Sequence, residues 1–536
     1  MRKTIMLVSC IVLLICVCVF RSNYVLIDGT IIDRDADCVV LQGDAIPEVK
    51  QLLKINGLKT LDLREVKISI DEYDALSGQL PQCEIVWSIP YQGEYWDSTT
   101  SEVSVKTMSA EDVVALNYFP NLQTVDAREC QEYDSLLDLK QNRPDLNVLY
   151  FVDLGNVQLR ENAMECTVTN ENVRALLDSL KYLPELKIIS SDGCTDYNAL
   201  MEIREARPDV TVSYDVVIGQ GSYDSDAVSL TLDISNAGEA LNLLQYFPSL
   251  NSVTFTGLAT DNGLMYELKC RYPEIVVDWC FELFGIETRS TAAELLLNKI
   301  PMESTKEVED ALKYFYNLEW VEMCQCGIPS EEMDALWKRH PEIRFVWAIP
   351  MANGFVRTDV KAFIPYKYGY HIHLPFYDKQ AKELKYLVDL ECLDLGHMRM
   401  KDISFLQYMP KLRYLIVADT VADDYSVIGT LKELIYLEIF IAPVRDASFL
   451  LELTKLEDLN VGKTRFDDPM ILAQMTWLKR LWAINAGHNK SQIDTLIKSL
   501  PNTKVVVSGR HPTDTGWRQS QNYYDMRDML GMFYMK

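Results

Sequence analysis

The chain has 536 residues, 52 Lys plus Arg against 78 Asp plus Glu, and 48% apolar residues, an ordinary globular composition with a formal charge of −26. Residues 56–387 carry 28 basic and 53 acidic side chains, so nearly all the excess sits there. Phosphate binding needs a basic face, so this balance argues against nucleic acid and favours a basic protein, a cationic surface or simple solvation.

Arg2 and Lys3 precede an uncharged apolar run from Ile5 to Phe20, closed by Arg21, the layout of an export signal or membrane anchor. Its sixteen residues would make about 24 Å of helix, short of a bilayer core of ~30 Å. With no small-x-small cleavage site, an uncleaved anchor over residues 1–21 is the first expectation and a cleaved signal the second. A lipoprotein comes third, because Cys10 in Leu7-Val8-Ser9-Cys10 lies too near the start. Residues 22–55 read as an amino-terminal cap, with a strand at Cys38 to Leu41 and a helix from Ile46 to Ile55.

From Asn56 onward the chain repeats. The residue before each x-Leu-x-x-hydrophobic-x-hydrophobic pattern is Asn56, Pro120, Pro184, Pro248, Tyr316 and Val388, then Pro410, Lys432, Thr454 and Thr476, giving spacings of 64, 64, 64, 68 and 72 followed by four of 22. Five long units thus occupy 56–387, and a 22-residue block with its terminal unit occupies 388–507. In each long unit a helical stripe ends at a Pro, as with Leu136 and Leu139 before Pro144. A strictly alternating strand follows, such as Val148, Tyr150, Val152, and then a Gly in every copy (Gly93, Gly155, Gly219, Gly285, Gly354). Each long unit is therefore two α/β repeats, the second extended into a hairpin. The central aromatics Trp87, Tyr150, Tyr214, Trp279 and Trp347 form a stripe that their Val and Ile neighbours mark as core; a carbohydrate or peptide platform is the rival.

In the short block the apolar frame is Leu390, Leu393, Leu395, and so on through Leu456, Leu459, Val461. This L-x-x-L-x-L frame resembles the leucine-rich repeat family in its short bacterial, internalin-like form. The resemblance implies an α/β leucine-rich-repeat solenoid, curved, with a parallel sheet on the concave face and helices on the convex face. It implies protein binding on that concave face, with Asp419, Phe440 and Lys463 as candidate contacts. The family's Asn or Cys after the strand falls here on Met398, Thr420, Ala442 and Thr464, so the turn groups that Asn satisfies need other partners. Cys130, Cys194 and Cys326 hold that place in three long units, beside Val66 and Leu258 in the others, and read as a column of small buried residues.

Chemistry is thin. There is no P-loop, H-E-x-x-H, G-x-S-x-G or EF-hand loop, and no C-x-x-C. His371 and His373 could supply half a metal site but lack a third ligand at useful spacing, so no metal, cofactor or catalytic residue is expected. Asp402, Asp424, Asp446 and Asp468, 22 residues apart, fit caps on short helical segments, with cation binding as the sharper alternative. In the tail, 508–536, Tyr523, Met526, Met529, Leu530 and Phe533 share one helical face. That face suits closing the open end of the repeat array or docking a partner. The reading is an exported scaffold, anchored or secreted on the outer side of a bacterial membrane, that binds a protein ligand. Carbohydrate binding through the aromatic stripe and a structural envelope role are the alternatives.

Overall fold

A computed structural model describes residues 23–27, 29–43, 46, 48–351, 354–365 and 376–532. The apolar run and Arg21, His371 with His373, and Phe533 lie outside them. Among the described residues no helix is long and apolar enough to cross a membrane. The chain divides into two compact units, Met1–Leu230 with Asn242–Leu250, and Thr231–Leu241 with Asn251–Lys536.

In the first unit parallel strands recur with the long-unit period. Cys38–Gln42, Thr60–Glu65 and Glu84–Tyr91 pair in parallel, with Leu61 opposite Ile85. Glu102–Ser104, Thr124–Asp126 and Asn147–Leu149 repeat the arrangement, as do Glu165–Val168, Ile188–Ser191 and Thr211–Ser213. Alternation turns Leu61, Val125, Val148, Ile189 and Val212 inward, where all are buried. The third strand of each ladder leads into an antiparallel hairpin, as the glycines predict: Ser88 pairs with Asp97, Phe151 with Arg160, Asp215 with Asp224. Gln92 and Gly93 both have positive φ, 49° and 81°, the two-residue turn whose twist matches the strands. Helices Ile70–Gln79 and Ala110–Leu116 start at capping boxes, Ser69 with Glu72 and Ser109 with Asp112.

The amino-terminal cap differs from expectation in two ways. Its helix is only Val49–Leu52, and a hairpin of Tyr24–Ile27 with Thr30–Asp33 precedes the expected strand.

The second unit holds two more hairpin-bearing ladders and then a seven-stranded parallel sheet. Its strands are Ala362–Phe363, Cys392–Asp394, Tyr414–Ile416, Tyr436–Glu438, Asp458–Asn460, Arg480–Trp482 and Lys504–Val506. Leu393, Leu415, Leu437, Leu459 and Leu481 pair in register and are wholly buried, which is why the spacing is 22. A repeat this short leaves room for one turn or so of helix, and the segments behind the sheet are 3-10, Ser404–Tyr408, Ser426–Thr430, Ser448–Glu452 and Pro469–Gln474. The aspartates hold their amino ends: Asp468 is the N-cap of its segment, and Asp402, Asp424 and Asp446 stand one residue before the N-cap in theirs. Asp402, Asp424, Asp446 and Asp468 accept the backbone N–H two residues on at 2.9, 2.8, 2.8 and 2.9 Å.

The aromatic stripe is core. Trp87 and Trp347 are 2% exposed, and Tyr150, Tyr214 and Trp279 are as deeply buried, so the platform reading fails on access. Cys130, Cys194, Cys326 and Val66 are buried, and burial pushes the Cys130 thiol up to about 11, but Leu258, expected in the same column, is 39% exposed where the register of its strand shifts.

Candidate functional site

A run of five left-handed residues edges the short-block sheet. His397, Asp419, Ile441, Lys463 and Asn485, each three residues past its strand, have φ of 64°, 52°, 63°, 58° and 54°. Four of them donate their N–H to the next repeat: His397 to Ala418 O, Asp419 to Phe440 O, Ile441 to Gly462 O and Lys463 to Ile484 O, at 2.8–2.9 Å. This ladder satisfies turn groups that the missing Asn would otherwise serve. Thr420 and Thr464 add hydroxyl bonds to Val417 O and Val461 O. With the main chain so held, the side chains point outward: Lys463 is exposed, Ile441 is 41% exposed, and His397 Nδ1 lies 2.9 Å from Asp419 Oδ2. Two of the three sequence candidates, Asp419 and Lys463, thus sit on one edge with Ile441 between them.

Phe440 does not join them. It is 6% exposed, within a cluster of Cys392, Tyr414, Ile416, Ala418, Tyr436, Trp482, Ile484, Trp517, Tyr523 and Met526. The cluster explains the tail. Rather than closing an end of the array, the tail lies on the open face of the sheet, through a 3-10 turn Trp517–Gln519 and a helix Gln521–Met529. The physical reason is the face itself. The positions flanking each buried Leu, which a bare sheet would give to water, carry Tyr414, Tyr436, Ile416 and Trp482, and this apolar area needs a cover.

Specific bonds fix the register of that cover. Trp517 is fully buried, stacked on Tyr436 with centroids 5.2 Å apart, and donates Nε1–H to Glu438 Oε1 at 2.7 Å. Tyr436 donates its hydroxyl to the same carboxylate, and Arg518 approaches Oε2 at 3.3 Å. Arg480 pairs with buried Asp458 at 3.1 Å and donates to Gly516 O and Trp517 O at 2.9 and 2.7 Å. Its guanidinium lies over the Trp482 and Trp517 rings, 4.6 and 5.0 Å from their centroids. Trp482 Nε1 donates to Asp514 O at 2.8 Å, and Asn460 Nδ2 to Pro512 O at 3.1 Å. Burial, together with the adjacent Glu438 charge, pushes the Tyr436 hydroxyl far above its ordinary range.

The first unit has a different feature, a recess repeated at the 64-residue period. One, about 660 Å³, is lined by Asp126, Arg128, Tyr133, Asp153 and Gln158 among others; its successor, about 360 Å³, by Ser190, Tyr197, Asp215 and Ser222. In both a tyrosine hydroxyl accepts a hairpin N–H, Tyr133 from Asp153 at 3.1 Å and Tyr197 from Val217 at 3.0 Å. The Arg128 guanidinium holds the Asp126 carboxyl below its usual range, so this acid is already neutralised within the chain. Among the described residues no three His, Cys, Asp or Glu side chains converge to hold a metal.

No family model and no curated protein matches the sequence. Among solved structures, internalin C2 of Listeria monocytogenes is similar at 18% identity over 40% of this chain and 80% of its own, with a TM-score of 0.22. The internalin InlF of the same species is 14% identical over 83% of this chain and 96% of its own, TM-score 0.22. A leucine-rich repeat protein of Leptospira interrogans is 13% identical over 88% and 96%, TM-score 0.24. The chain resembles leucine-rich repeat proteins. The repeat itself is defined by the 22-residue register of this chain's own strands.

Proposed function

We propose that this chain is an exported scaffold, held at the outer side of a bacterial membrane by residues 1–21 or released if that segment is cleaved, whose task is to recognise a protein partner rather than to catalyse. The observation that carries the reading is that the sheet face of the short block already holds a polypeptide, through both indoles and through main-chain carbonyls. A surface that grips peptide groups and aromatic side chains in one register suits protein recognition. Asp419, Ile441 and Lys463 stay uncovered beside it and are the first contacts we assign. The acidic excess favours a basic partner over nucleic acid.

The test is capture from cell-surface and extracellular extracts on the immobilised chain, with washed polysaccharide in parallel. A protein band that weakens in 0.5 M salt and is lost in an Asp419→Lys, Lys463→Glu chain is expected. Retention on polysaccharide with no protein band would overturn the reading.

A further inference from the structure

The two faces of the seven-stranded sheet differ in a way that permanent packing does not require. The inward row, Leu393 to Leu481, has no polar member, whereas the tail-covered row buries Asp394, Glu438, Asp458 and Asn460. Burying four such groups beneath a fixed cover gains little, because an apolar row of equal volume would be as stable or more so. They make sense on a surface that is at times open to water and that reads hydrogen-bonding groups when closed. Two of them meet the tail directly: Glu438 accepts an indole N–H with a guanidinium beside it, and Asn460 donates to Pro512 O; Asp458 instead holds Arg480, which with Trp482 donates to three more main-chain carbonyls, those of Gly516, Trp517 and Asp514.

Two further observations point the same way. Residues Ser508 to His511, which lead into the tail, are exposed. Gly462 has no positive φ to demand a glycine, yet a Cβ there would stand 2.9 Å from Pro512 Cβ. The missing side chain makes room for the passing segment.

We propose that this face recognises a partner polypeptide presenting adjacent Trp and Arg side chains ahead of a short amphipathic helix, and that the chain's own tail is the resident competitor such a segment displaces. The proposal rests on the protein-recognition reading above and adds the partner's chemistry and its regulation. The tail is tethered, so its effective concentration at the face is high and a free segment competes poorly until the tail's grip is weakened.

The probe is a fluorescein-labelled peptide of sequence 514–532, added to the full-length chain and followed by anisotropy. Two variants loosen the tail from opposite sides: Trp517→Ala with Arg518→Ala removes its side chains, and Gly462→Val wedges Pro512 away, crowding Asn460 as well but leaving Glu438, Arg480, Trp482 and 514–532 unchanged. Both should bind the peptide at least tenfold more tightly than the intact chain, and adding Glu438→Ala should reverse that gain. Hydrogen exchange over 521–529 should quicken in both, reporting an opened tail in chains whose circular dichroism is unchanged. If the tail opens by exchange and neither variant gains peptide binding, the face does not accept segments in trans and the proposal falls. It falls equally if exchange shows that neither variant opens the tail, or if neither variant folds, because the tail is then a fixed part of the sheet. Capture of a partner that is unaltered by Gly462→Val and by Glu438→Ala and is lost only with Asp419→Lys, Lys463→Glu would leave the general reading standing while removing this one.

Discussion

Replacing Tyr150 or Tyr214 with Phe deletes one oxygen from a buried ring and nothing else. Tyr150 is 0% exposed and donates to Tyr182 O at 2.8 Å; Tyr214, one unit later, is 3% exposed and donates to Tyr246 O at 2.9 Å. Flanking rings repeat as well, with Tyr133 and Tyr197 at 6.3 and 6.1 Å centroid distance. A net hydrogen bond contributes about 0.5–1.5 kcal/mol, and the part-buried carbonyl left behind raises the cost of each variant to about 1–2 kcal/mol. The two have no shared bonding partner, so the double variant should cost their sum to within about 0.5 kcal/mol. Burial pushes both hydroxyls up to about 12. The unfolded chain releases those protons near pH 10, so this contribution is complete below pH 10 and is lost as pH rises through 12. Urea titrations at pH 7 and pH 11, followed by circular dichroism, measure both effects: the variants should start less stable and lose less between the two pH values. A cost below about 0.3 kcal/mol, or a mismatch above about 1 kcal/mol between the two sites, would refute the claim that the stripe is repeated core.

Three further outcomes are expected. Asp424→Ala should lower stability by about 1 kcal/mol in urea titration as a lost cap, and added Ca²⁺ should leave the melting temperature of the parent unchanged; a calcium-dependent rise would point to cation binding along the aspartate column. Because Ser404 and Ser448 hold the Asp402 and Asp446 carboxyls below the ordinary range, the caps are fully effective above about pH 4 and fade only on further acidification. Ile441→Gly should stabilise the chain by about 1 kcal/mol on thermal unfolding, since a β-branched residue is strained at φ 63°, while weakening partner capture through loss of the exposed side chain. Glu322→Gln should cost about 1–3 kcal/mol, because the Arg357 guanidinium, bound at 2.7 and 3.0 Å, holds that carboxyl at about 2; the parent should lose the same increment as pH falls from 4.5 toward 2, and the variant should not.

The repeat was legible because burial imposes a period: Leu393 to Leu481 and the inward Val and Ile of the long units could be nothing but core once the spacings of 64 and 22 were counted. The hairpins followed from glycines that only a turn would hold in five equivalent places, and the aspartate caps from their interval. The tail's position was not legible in this way. Its helix showed an apolar face, but a moment says only that something is covered, and the cover's location depends on pairs such as Trp517 with Glu438, 79 residues apart with no periodic signal. One clue was present in Tyr414, Tyr436 and Trp482, which occupy strand positions that a water-facing sheet fills with polar residues. Phe440 is buried for the same reason: the resemblance implies a contact there, but the cluster that encloses it includes Trp517, Tyr523 and Met526 of the tail. Ile441 was not legible either, since left-handed backbone at a β-branched residue has no local sequence signature.

The tail also sets a length. Repeats that pair only with their neighbours can be gained or lost whole, and arrays of this kind vary in copy number at small cost to the sheet. Here one segment reaches from Pro512 at Asn460 to Met526 beside Cys392, touching strands whose spacing is about 4.8 Å each. An extra 22-residue unit between Glu438 and Asp458 would continue the same ladder pattern and yet set Glu438 and Arg480 a full strand further apart, so that Trp517 could not reach both, and one between Asp394 and Tyr414 would part Cys392 from Met526. The segment therefore works as a gauge, fixing how many short repeats this chain can have.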